Sequence, residues 1–152
     1  MILGIETSGE LGSVACLHEG ESCGELEFST RQEACRRLPL AARELLAAHA
    51  LALTALSGIA VSRGPGSFNG LRVGLAFAKA LAHALRRPVV GVPTPLAWAQ
   101  ESTARFPEAA LAVLQPVRRE FLYLTVFAPG APPAYLAPTA LTADSDWLDQ
   151  AA

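Results

Sequence analysis

The chain has 152 residues, room for one ordinary domain or a domain plus a further piece; at 51% apolar and 17% charged residues it is rich in core material and poor in charge. These figures exclude a collagen-like chain, a disulfide scaffold and a multidomain assembly, and they leave apolar surface for a partner to cover. Twelve Lys and Arg against fourteen Asp and Glu, for a net charge of -2, give no global attraction to nucleic acid, so any RNA contact is local or made through a partner.

Residues 2–6 form a short apolar run that enters the polar turn Thr7-Ser8-Gly9-Glu10, and residues 13–18 alternate at period two, which predicts two strands joined by a glycine-containing turn. A second turn signal at Glu19-Gly20-Glu21 leads to a third strand over residues 22–28 and completes an antiparallel meander. The spacing of Leu38, Ala42, Leu45, Leu46 and His49 predicts a helix over residues 32–49, in which Pro39 either kinks the helix or marks its true first turn. Residues 56–62 read as a buried strand, followed by a glycine-rich loop and a helix from Asn69 to Arg86. A strand over 88–93 and a helix over 94–105, capped by Thr94, complete a βββαβαβα order, which implies a mixed sheet with helices on its faces. Residues 110–117 and 120–128 read as a hairpin across Arg118-Arg119, and the proline- and glycine-rich stretch after Pro129 as an irregular tail. The expected organisation is therefore α/β: an N-terminal domain over 1–107 and an incomplete second domain over 108–152.

Candidate chemistry is sparse. The loop Gly64-Pro65-Gly66-Ser67-Phe68-Asn69-Gly70 enters a helix, where unpaired N–H groups and the helix dipole favour an anion. Gly64, Gly66 and Ser67 are thus candidate phosphate contacts, and the turn after the first strand adds Thr7 and Ser8. The same loop equally reads as a tight turn with Ser67 or Asn69 as helix cap. It is no Walker loop, since Lys79 is the only lysine. Phosphoryl transfer leans on carboxylates, yet the aspartates are Asp144, Asp146 and Asp149, all in the last nine residues, and Glu6 stands alone. His18, His49 and His83 never fall at i, i+4, and Ser67 is not in a Gly-x-Ser-x-Gly elbow. Cys16, Cys23 and Cys35 form an odd set without Cys-x-x-Cys spacing and read as small core residues in a reducing compartment. No catalytic residue, metal site or cofactor is expected. With no signal-type start and no apolar stretch of about 18 residues, the expected location is the cytoplasm, without membrane contact.

The helix over 69–86 carries the more informative pattern. Arg72, Lys79, His83 and Arg86 share one narrow stripe, while Leu71, Val73, Leu75, Phe77, Leu81 and Leu85 sweep about 200°, twice the roughly 100° that one sheet needs. Either the helix over 32–49 or another chain covers the surplus, and Gly70, Gly74, Ala76, Ala78, Ala80 and Ala84 allow close approach.

Three blocks, Ile2-Leu3-Gly4-Ile5-Glu6-Thr7-Ser8, residues 63–82 and Pro88-Val89-Val90-Gly91-Val92-Pro93, closely resemble the TsaB (YeaZ) family in order and spacing; residues 115–127 resemble the strand pair that opens its second half. The resemblance implies an actin-like (ASKHA, ribonuclease H-like) fold and a role in making threonylcarbamoyladenosine in tRNAs that read ANN codons. It implies a non-catalytic subunit that dimerises with TsaD, the metal-bearing transferase, with TsaE as an ATPase partner and TsaC as the source of threonylcarbamoyl-AMP. Alone, such a subunit forms a homodimer, and tRNA is reached indirectly through the complex. The family interface is a helix bundle built from the first two helices, which implies Leu38, Ala42, Leu45, Leu71, Val73, Phe77 and Ala80 as partner contacts. The paired histidines with which TsaD holds metal have no counterpart in Glu33-Ala34-Cys35-Arg36-Arg37-Leu38. Asn69 replaces the usual Thr, a change of helix cap, and the sequence ends at Ala152 where typical members continue, which speaks against an independent ATPase. The rival expectation is an enzyme: a nucleotide-binding hydrolase using Glu6, Thr7 and the loop 64–70, or a glycoprotease-type metalloprotease.

Overall fold

A computed structural model describes residues 1–31, 33–118, 121–130 and 132–143. The chain divides into two compact units, Met1–Val92 and Pro93–Ala152. The division falls before the third helix, not at the expected 107/108 boundary.

The first unit is built on a five-stranded sheet. Strands β1 (Ile2–Glu6), β2 (Leu11–His18) and β3 (Glu21–Ser29) form the expected antiparallel meander, with Leu3 opposite Cys16 and Ile5 opposite Val14. Glu19 and Gly20 both take positive φ (53° and 90°), the requirement of a two-residue turn whose twist matches its strands. Strand β4 (Gly58–Ser62) joins the other edge of β1 in parallel, and β5 (Val89–Val92) adds parallel to β4, giving the order β3-β2-β1-β4-β5.

Two helices cover one face. Helix α1 (Ala34–Ala48) lies on β2 and β3, and α2 (Phe68–Leu85) on β4 with β1 and β5. Pro39 sits in the second turn of α1, so it does not mark the start; Gln32, where the helix was expected to begin, lies outside the described residues. The period of two along the strands sends Leu3, Ile5, Val14, Ile59 and Val61 to this face, where they meet Leu38, Leu45 and Leu46 of α1. Each such fully buried side chain contributes roughly 1.5–3 kcal/mol. Helix α2 buries only Gly70, Gly74, Ala78 and Ala82, one small residue per turn, and its axis therefore lies close to the strands. Its larger apolar side chains, Val73, Leu75, Phe77, Leu81 and Leu85, flank that stripe and pack partly buried against the core.

The second unit holds α3 (Thr94–Arg105) against β6 (Leu111–Arg118), which pairs antiparallel with β7 (Phe121–Ala128). Thr94 does not cap α3: Pro93 occupies the cap position, Thr94 is the first helical residue, and Pro95 follows it. The segment after Pro129 is not wholly irregular either, because β8 (Ala134–Ala143) pairs with β7 as an edge strand. Pro138 falls where the register shifts between Val126↔Ala137 and Leu124↔Ala140; an edge strand at a ladder irregularity tolerates a residue without an N–H. Arg119 and Glu120 of the expected hairpin, and the three aspartates, lie outside the described residues. Among the described residues no helix is long and apolar enough to cross a membrane.

Candidate functional site

The two stretches singled out as phosphate contacts do meet. Strand β1 ends in Thr7-Ser8, and β4 ends in the loop that enters α2. Ser67 N donates to Ser8 O at 2.7 Å, Thr7 N donates to Ser62 Oγ at 3.3 Å, and Ser8 N donates to the Glu6 carboxylate. Gly64 has φ +90°, and a Cβ on Gly66 would lie 2.6 Å from Ser8 O. A Cβ on Gly70 would overlap the Thr7 carbonyl oxygen, and one on Gly74 the Thr7 hydroxyl. Glycine is therefore needed here to seat the β1 turn against the helix.

The junction is closely packed on its inner side. Thr7, at 0% exposure, and Ser8, at 5%, occupy the faces that the glycines leave open, and Gly70 N already donates to Ser67 Oγ at 3.3 Å. The Thr7 and Ser8 hydroxyls are buried without a hydrogen-bond partner among the described residues. Thr7, Ser8, Gly64, Gly66 and Ser67 thus converge at one junction, where Thr7 and Ser8 are buried and Ser67 is exposed. Ser67 is the cap of α2; Asn69, two residues further on, is exposed inside the first turn, so its replacement of Thr is not a change of cap.

The expected partner contacts separate into three groups. Leu38, Ala42 and Leu45 are 0%, 3% and 2% exposed and belong to the core; of the three only Leu38 reaches the floor of the groove described below. Leu71 is half-buried and turned toward the loop, where a Cβ on Gly64 would lie 2.8 Å from its Cδ1. Val73 and Phe77 are half-buried, and Ala80 is exposed.

Val73 and Phe77 line an open groove of about 530 Å³ between α1 and α2, with Leu38 and Pro39 from α1 and Ala76 and Arg72 from α2. Arg72 at its rim holds its guanidinium 5.3 Å from the centre of the Phe68 ring, and Phe68 is 73% exposed. Pro39, Arg72 and Ala76 were absent from the expected set. Their signal was available in the small-residue register of α2: once Gly70, Gly74, Ala78 and Ala82 face the sheet, Ala76 and Ala80 face outward.

Comparison with known proteins places this geometry. The family model described as "TsaD: tRNA N6-adenosine threonylcarbamoyltransferase" matches residues 29–125, a span that includes α1, β4, α2, β5, α3 and β6. The Escherichia coli (strain K12) "tRNA threonylcarbamoyladenosine biosynthesis protein TsaB" is 36% identical over 99 residues, covering 65% of this chain and 42% of that protein. Its Haemophilus influenzae namesake is 39% identical over 99 residues, with the same coverage. The solved structure "YeaZ from Pseudomonas aeruginosa" matches with a TM-score of 0.81 at 32% identity, over 92% of this chain and 66% of that one. The mixed-sheet α/β fold is that of the YeaZ structures, and the match spans 42% of the length of each of these two curated relatives.

Proposed function

The chain belongs to the TsaD family, that of tRNA N6-adenosine threonylcarbamoyltransferase, and on that premise we propose that it serves tRNA threonylcarbamoyladenosine biosynthesis as a non-catalytic subunit that docks the TsaD transferase through α1 and α2. The observation that carries the reading is the groove between those helices. Half-buried Val73 and Phe77, with Pro39 and Ala76, form an apolar patch over the core residue Leu38. The TsaB name of the curated relatives supports the pathway. In this reading the chain works in the cytoplasm, TsaE joins the complex, tRNA is reached through TsaD, and two copies pair through the same face when TsaD is absent.

Light scattering behind size exclusion tests it, on this chain alone and mixed with TsaD from the same source. A one-to-one complex that forms at the expense of the homodimer is expected. Phe77→Glu places a charge in a contact that excludes water. It should raise the dissociation constant about a hundredfold, the equivalent of ~3 kcal/mol, with an unchanged circular dichroism spectrum. A chain that stays monomeric and indifferent to TsaD overturns the proposal.

A further inference from the structure

The helical layer that frames the groove differs in charge from the rest of the chain. No Asp or Glu occurs between Glu44 and Glu101, and residues 33–87 hold eight of the twelve Lys and Arg side chains but two of the fourteen acids. In the fold this becomes a surface. Arg36, Arg37 and Arg43 on α1 and Arg72 and Lys79 on α2 are all exposed, while Glu33, one of the two acids, is already engaged by Arg36 at 3.1 Å. Arg72 is itself part of the groove wall.

Resting on the function proposed above, we propose that this face selects its partner by charge: it fits a helical surface that carries carboxylates around an apolar strip, and it pairs less tightly with a second copy of this chain. The reason is symmetry. A two-fold pairing sets the same patch against itself, so any homodimer through this groove opposes cationic side chains to cationic side chains. An acidic partner gains the same apolar burial and adds attraction across the rim. Salt separates the two cases, because the screening length falls from about 10 Å at 0.1 M to about 3 Å at 1 M. Screening removes attraction from the heterodimer and repulsion from the homodimer.

The test is sedimentation equilibrium of the full chain, alone and with TsaD from the same source, at both salt concentrations. Affinity for TsaD should fall at least about tenfold between 0.1 and 1 M NaCl while self-association strengthens. The double charge reversal Arg72→Glu, Lys79→Glu alters two exposed side chains; at 0.1 M it should weaken the heterodimer and tighten the homodimer, with circular dichroism confirming the fold. A heterodimer indifferent to salt and to the reversal overturns the inference and leaves the proposed function standing. No heterodimer at either concentration overturns both. Binding of bulk tRNA by the chain alone at 0.1 M NaCl, abolished by the same reversal, would assign the face to a phosphate backbone and overturn the acidic helix as its occupant.

Discussion

Gly70 sits inside a helix, where alanine is normally better by about 1 kcal/mol. Here the added methyl would overlap the backbone oxygen of Thr7, which cannot rotate away. Gly70→Ala is therefore expected to lower stability by about 2 kcal/mol, an inversion of the usual sign, read as a lower denaturation midpoint in urea. Ala76→Gly, on the exposed side of the same helix, should lose about 1 kcal/mol by propensity alone. The cysteines give a second contrast at this scale. Burial, and then the neighbouring Cys23 thiol, push Cys16 above its ordinary value of 9.0, whereas Cys35 is exposed. A chromogenic disulfide reagent should therefore react first with Cys35 and reach Cys16 only on unfolding. The sign of the pH dependence follows from proton counts. Above the unfolded thiol's value and up to the raised folded one, the native state holds the proton that the unfolded chain has lost. Stability should thus fall as pH rises through that window and be insensitive to Cys16 below it, which denaturant titrations on either side of 9.0 would show.

Between elements, the loop into α2 separates capping from mere proximity. Ser67 accepts from Gly70 N, so Ser67→Ala should lose about 1 kcal/mol, while Asn69→Ala stays within about 0.5 kcal/mol. Loss of equal size at both positions would mean that the first turn is held by something other than its cap. The sequence offered both residues, and only the fold chooses between them, because cap geometry depends on where the backbone turns. The same limit applied elsewhere. Alternation in β2 was legible because a period of two reports burial on one face directly, β3 followed from the turn signal before it, and β4 from its continuous apolar run. Leu38, Ala42 and Leu45 carried the right period for a contact stripe, yet they belong to the core, since periodicity shows that a face is covered and not by what. Thr94 was misread because Thr is a good cap in general and Pro93 takes the position here. Strand β8 was hidden by the prolines around it, which an edge strand tolerates and a central strand does not. The phosphate candidates were the correct neighbours, Thr7 and Ser8 against Gly66 and Ser67, but residue type could not reveal how closely the β1 turn seats against the glycines of the loop and helix.

At the scale of the molecule, the near-neutral total charge concealed a cationic helical layer and acids gathered largely outside it, and the fold, by laying α1 beside α2, turns that segregation into a surface. The division into units carries its own consequence. All five strands of the first sheet, both of its helices and the continuous core from Leu3 to Ala82 lie before Pro93, and among the described residues nothing in that core cluster comes from a later one. A fragment of residues 1–92 holds a complete sheet with one face covered, and its length is well above the roughly 40 residues below which a domain needs disulfides or metals. It should unfold cooperatively, with the helix and strand content of the first unit. A fragment cut at the boundary expected from sequence, residues 1–107, adds α3 but removes β6, the strand on which α3 packs. A twelve-residue helix is marginal in water without such packing. Limited proteolysis of that longer fragment should therefore trim it to about Val92 while the preceding unit survives. Resistance of residues 93–107 to cleavage in that fragment would show that α3 is stable without β6 and that the first unit extends beyond Val92.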